Sequence, residues 1–110
     1  LWLVGAFGGV GGTTAVGLAA LARGLTDPTG LVTASPKFAR VPFDRPADFV
    51  VGGHDIRQTS FARAAAELHQ RSGVFSESLL GAVGGQLDEW SANVRPGVVF
   101  KPNPVIAALA

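Results

Sequence analysis

The sequence contains no cysteine, no methionine and two histidines, and charged residues make up 15% of its 110 positions. The lack of cysteine excludes a disulfide scaffold and any thiolate-held metal, and it accords with a cytoplasmic location. Nine basic side chains stand against eight acidic ones with no block of either sign. No tail or patch suited to nucleic acid is present in that pattern. Neither His54 nor His69 has an acidic residue or a second histidine at metal-ligand spacing, which argues against a metal site. No Ser/His/Asp grouping stands out, and no base is poised beside a nucleophile. Polar ends are missing too: the chain starts at Leu1 inside an apolar run and finishes on Val105-Ile-Ala-Ala-Leu-Ala110. Natural termini are usually polar and loosely held, so residues 1–110 read as a piece of a longer protein, cut at both ends.

What is present is apolar and rich in glycine. Hydrophobic residues reach 47%, with a mean hydropathy of +0.33. That is enough to form a core, and a chain this long buries roughly 60–70% of its unfolded surface. Five of the fifteen glycines fall between Gly5 and Gly12. Residues 1–22 carry no charge and have the length of a membrane span. Six of those 22 are glycine, however, at a cost of about 1 kcal/mol each inside a helix. Gly5/Gly9 and Gly8/Gly12 match the spacing of paired membrane helices, a pattern that glycine clusters produce readily. The reading is of a chain without a membrane segment.

Leu1-Trp-Leu-Val4 has the form of a short strand buried on both faces. Thr13 to Leu25 reads as a helix, with Val16, Ala19 and Ala20 on one stripe and Leu18, Leu21 and Leu25 on another. A helix apolar nearly all round lies deep against a sheet. Four of the seven prolines (Pro28, Pro36, Pro42, Pro46) break the pattern over 26–47, where Gly30–Thr33 is the one expected extended piece. Asp48 to Gly52 reads as a second buried strand and Gly53-His-Asp55 as the turn after it. Arg57 to Ser72 has helical period through Phe61, Ala64, Ala65 and Leu68, with Arg63, Glu67, His69 and Arg71 toward solvent. Ser76 to Asn93 is a further helical stretch, with Leu79, Val83, Leu87 and Trp90 on one side. Gly84-Gly85 is expected to kink or divide it. Arg95-Pro-Gly97 is a turn, and Val98-Val-Phe100 a third strand. Alternating short apolar strands and helices predict an α/β fold, a parallel sheet flanked by helices.

The strongest motif is Gly5-Ala-Phe-Gly8-Gly-Val-Gly11-Gly12-Thr13-Thr14, placed after a strand and opening a helix. A diphosphate has to approach the backbone closely there, and the helix start offers unpaired N–H groups and a partial positive charge. The ending Gly12-Thr13 lacks the Gly-Lys-Ser/Thr of a triphosphate loop, which removes an ATPase reading. A dinucleotide site is one account of the motif; a tight turn that needs glycine only for packing is the other. Thr13 and Thr14 either donate to phosphate or cap the helix. Asp55, at the end of the second strand, holds the place of the acid that accepts from the adenosine ribose. It lies 50 residues past Gly5, so a cap on the following helix is an equal alternative. His54 either touches a cofactor or is a half-exposed loop residue.

The ordered set of Leu3-Val-Gly5 with its glycine loop and Thr13-Thr14, Gly30-Leu-Val-Thr33, Val50-Val-Gly-Gly-His-Asp-Ile56 and Arg95-Pro-Gly-Val-Val99 resembles the amino-terminal part of the myo-inositol-1-phosphate synthases, most closely the bacterial branch. The likeness implies a partial Rossmann-like domain with NAD as cofactor. Gly5, Gly8, Gly9, Val10, Gly11, Gly12 and Thr13 would hold the diphosphate, and Asp55 and Ile56 would meet the adenosine end. It implies glucose 6-phosphate as substrate of a cytoplasmic, homo-oligomeric parent that serves inositol and phospholipid biosynthesis. That parent oxidises C5 of the sugar, closes C1 onto C6 in an aldol step and reduces the ketone again. The family often has Trp in place of His54 and asparagines in place of Gly9 and Val10, which removes side-chain amides from the loop. The nucleotide half of an NAD(P)-dependent dehydrogenase or reductase, and a non-enzymatic NAD(H)-sensing module, are rival readings. The family's catalytic lysines would fall beyond residue 110. The 110-residue chain alone is therefore expected to form no inositol phosphate from glucose 6-phosphate, as a product assay on the purified chain would check.

Overall fold

The computed structural model describes residues 1–98 and 104–109. Three short strands, β1 (Trp2–Val4), β2 (Gly52–Asp55) and β3 (Val94–Pro96), form one sheet in the order β1-β2-β3. Both pairings are parallel: Leu3 lies opposite Gly53, and His54 opposite Arg95. The helices are α1 (Gly9–Ala22), α2 (Phe61–Ser72), α3 (Glu77–Ser91) and α4 (Pro104–Leu109). This is the α/β arrangement that the alternation predicts, part of a Rossmann-like domain.

Side chains alternate across a strand, and here the two faces differ. Leu3 and Val94 pack on a core made by α1, α2 and α3, whose centre is Val16, Phe61, Val83 and Leu87. Trp2 and Val4 point the other way and remain 55% and 88% exposed. The expected burial of β1 on both faces therefore does not hold. Among the described residues its one hydrogen-bonded neighbour is β2, and its outer face has no helix across it.

The second strand starts later than its apolar run suggests. Asp48 ends a single 3₁₀ turn (Pro46–Asp48), and the ladder is formed by Gly52-Gly-His-Asp55, residues expected to turn. Close packing explains why glycines stand in a strand. A Cβ at Gly53 would lie 3.0 Å from the Leu3 carbonyl carbon and 3.1 Å from the Ala6 Cβ. A Cβ at Gly52 would lie 2.8 Å from the Trp2 ring. The glycines let β1 and the loop after it press onto β2.

Helix α1 begins at Gly9, four residues before the expected start, so its first turn is the glycine loop itself. It buries Ala15, Val16, Ala19 and Ala20, while Leu25 lies beyond its end and is exposed. Residues 32–34 form a 3₁₀ turn in place of the expected extended piece, as do 36–38. Helix α2 starts at Phe61, because Ser60 caps it by accepting from the Arg63 amide; left-handed Gly73 closes it. Helix α3 is capped by Ser76 and runs unbroken through Gly84-Gly85, with Val83, Leu87 and Trp90 buried. The expected division there does not occur, since packing of that stripe outweighs the low helix propensity of two glycines. The third strand occupies Val94–Pro96, where a turn was expected; Val99 and Phe100 of the expected strand lie outside the described residues.

Two glycine substitutions test this packing with opposite signs. Gly53→Ala is expected to destabilise by about 1–3 kcal/mol, because β1 has to move off β2. Gly85→Ala, in open space on an exposed helical turn, is expected to stabilise by about 0.5–1 kcal/mol. Urea denaturation of both variants against the wild type checks the pair.

Candidate functional site

In parallel sheets, ligands bind outside the carboxyl ends of the strands. Here those ends converge on one loop, Gly5–Gly8. The chain leaves β1 at Gly5, whose φ of +75° is a conformation that a side chain resists. The His54 carbonyl accepts from the amides of both Gly5 (2.9 Å) and Ala6 (3.1 Å), tying the loop's first residues to β2. Gly8 donates to the Gly5 carbonyl at 3.0 Å and closes the turn.

Helix α1 opens directly from this turn. No side chain caps Gly8, and no acidic residue stands in the first helical turn. The amides of Gly9, Val10 and Gly11 precede the first carbonyl that an α-helix could offer them, whereas Gly12 donates to Gly8 at 2.8 Å. Gly11 is buried under the loop: a Cβ there would stand 2.9 Å from the Gly5 carbonyl oxygen and 2.9 Å from the Ala6 carbonyl carbon. Backbone donors, a positive helix end and glycine at positions 5, 8, 9, 11 and 12 suit the diphosphate of a dinucleotide. The hydroxyls of Thr13 and Thr14 turn back to the carbonyls of Gly9 and Val10. They neither cap the helix nor point into the loop.

Asp55 ends β2 with 8% of its surface exposed. One carboxylate oxygen accepts from the Phe7 amide at 2.7 Å, the other from the Arg57 amide at 2.8 Å. The cap on α2 is Ser60, so the helix-cap alternative for Asp55 does not hold. Its carboxylate instead fastens the glycine loop to the strand end. A carboxylate has about four acceptor positions, so two such bonds leave capacity for ribose hydroxyls. Asp55 and Ile56 also border a cleft of about 400 Å³, with Val4, Gly5 and Pro96 along its sides.

Phe7, Arg57 and Glu67 complete the loop through contacts that the sequence does not reveal. The Phe7 ring packs edge-on against Phe61 at 5.1 Å, which seats the loop on α2. Arg57 donates from Nη1 to the Phe7 carbonyl at 3.3 Å and from Nη2 to Glu67 Oε2 at 2.8 Å. Both polar groups of Phe7 are thus held by side chains. Glu67, expected toward solvent, is half-buried by this contact. The nearest sequence signal is an arginine two residues past a strand-end acid; nothing in the periodicity pairs it with a glutamate ten residues on.

His54 is a strand residue whose Nδ1 accepts from Trp2 Nε1 at 3.0 Å, with the rings in T-shaped contact. His69 is half-buried rather than solvated, its Nδ1 without a hydrogen-bond partner among the described residues. No group of three or more potential metal ligands occurs among the described residues, and no helix there is long and apolar enough to cross a membrane.

The Arg57 guanidinium, hydrogen-bonded to Glu67, holds that carboxyl below the usual range, and the charges of Arg63 and Arg71 add to the effect. A depressed folded value means that the pairing stabilises the fold above about pH 4.3 and is lost as pH falls through the lower value. Glu67→Gln is therefore expected to be less stable than the wild type at neutral pH, with the gap narrowing at an acid pH below the ordinary glutamate range. Urea midpoints at the two pH values check this.

Residues 1–108 match the NAD-binding family model described as myo-inositol-1-phosphate synthase. No curated protein matches the chain.

Proposed function

Since the chain belongs to the myo-inositol-1-phosphate synthase family, with NAD as its cofactor, we propose that its glycine loop is where the NAD diphosphate sits. The observation that carries this reading is the opening of α1, where three consecutive amides have no helical acceptor and glycines stand at Gly5, Gly8, Gly9 and Gly11. Gly9, Val10 and Gly11 donate to the diphosphate oxygens. Gly5, Gly8 and Gly12 shape the turn, their own amides being engaged by His54, Gly5 and Gly8. Thr13 flanks the anion along the exposed side of the first turn. Asp55 accepts from the ribose hydroxyls with the lone pairs that Phe7 and Arg57 leave, and Ile56 gives the adenosine an apolar contact.

The protein to which this domain belongs is, on this reading, an isomerase that converts glucose 6-phosphate to a myo-inositol phosphate. When bound, NAD supplies the oxidant for the sugar and then returns the same electrons. The domain's contribution is to hold and orient the cofactor: the fixed loop keeps the amides aimed before it arrives, so little ordering remains to oppose binding. No residue of the chain is assigned a catalytic role. A cytoplasmic homo-oligomer is the setting we propose for the whole protein.

Gly11→Ala is the sharpest test. The added methyl meets backbone on two sides and has to lift α1 away from the loop. NAD affinity is expected to fall at least about tenfold, a loss of roughly 1.4 kcal/mol, in a variant that still melts cooperatively. Unchanged affinity by calorimetry in that folded variant would refute the loop assignment and leave the glycines with a packing role alone.

A further inference from the structure

We infer that Glu67 determines cofactor choice, by holding Arg57 in an internal clamp where it cannot serve the 2′-phosphate of NADP. The inference rests on the reading that the adenosine ribose lies at Asp55. An arginine just past the strand-end acid is the group that accommodates a 2′-phosphate in dinucleotide folds, and Arg57 stands two residues beyond Asp55. It does not line the cleft beside Val4 and Gly5, but borders an adjoining one that shares Asp55 and Ile56 with it, and another with Gly8, Gly9 and Glu67. The side chain is committed to the second direction, with Nη1 on the Phe7 carbonyl and Nη2 on Glu67.

Of those two contacts, the one to Glu67 is the stronger. It is charge-assisted and short, at 2.8 Å, with the pair half-shielded from solvent. The Phe7 contact, at 3.3 Å to a neutral carbonyl, would not by itself keep a guanidinium from a phosphate dianion. Glu67 thus does two things from one position on α2. It turns Arg57 inward onto the loop, and it neutralises the charge that would otherwise offset the repulsion between Asp55 and a 2′-phosphate. The residue selects NAD without touching it.

The test is the pair of dissociation constants for NAD and NADP, by calorimetry on the full chain. In Glu67→Gln the affinity for NADP relative to NAD is expected to rise about tenfold, the scale of one freed charge-assisted contact. The double variant Glu67→Gln with Arg57→Met is expected to return that ratio to the wild-type value, because the gain needs the arginine. Glu67→Ala has to act in the same direction as Glu67→Gln. A ratio unchanged in both Glu67 variants, or a gain that survives loss of Arg57, overturns the inference while leaving the NAD site standing. A wild type that binds neither cofactor overturns the site reading, and the inference with it.

Discussion

One buried carboxylate organises this end of the sheet. Asp55 accepts from the amides of Phe7 and Arg57, and through them joins a loop near the start of the chain to a strand end 48 residues later. Without it, the loop would rest on the His54 carbonyl, the longer Arg57 contact and the Phe7 ring, and the Phe7 amide would be a donor without its acceptor. A hydrogen bond to a charged group contributes about 1.5–3 kcal/mol, and an unmet buried donor costs a comparable amount. The placement of Arg57, the seating of Phe7 on Phe61 and the aim of α1 all follow from that attachment.

The same feature reframes what an acid at this position does. Its usual account is recognition, with the carboxylate facing a ribose. In this chain the carboxylate first serves the protein, accepting from the Phe7 and Arg57 amides, and only its remaining lone pairs are free for the ligand we propose. Architecture and recognition then share one residue. On the proposed reading, the loop's shape and its preference for a cofactor are not independent properties: Glu67 acts on Arg57, Arg57 on the Phe7 carbonyl, and Asp55 on the amide of the same residue.

Periodicity revealed the elements held by apolar side chains and missed those made by backbone. Phe61, Ala64 and Ala65 on α2, and Val83, Leu87 and Trp90 on α3, announce buried helix faces because their spacing repeats the turn of a helix. Gly52 and Gly53 have no side chain to alternate, so β2 shifted onto an apolar run that is in fact a 3₁₀ turn and an approach. Gly9 through Gly12 have low helix propensity, which hid the true start of α1; that turn is helical because it packs under Ala6. The site divides along the same line. The glycine loop and Asp55 were legible as a strand–turn–helix motif and a strand-end acid. The pairing of Arg57 with Glu67 was not, since an ion pair between a loop and a helix face leaves no periodic trace.

The attachments of the loop all span great lengths of chain: Phe7 to Asp55, Phe7 to Arg57, and Gly5 and Ala6 to His54. None lies within the first helix or the turn before it. Contacts so far apart in sequence form late, after the entropy of closing a long loop has been met. During synthesis, the glycine motif therefore leaves the ribosome as a sequence without a shape. It takes the shape of a turn that opens a helix only once Arg57 has followed and β2 has docked, so a motif made before its attachments is among the last to take its form.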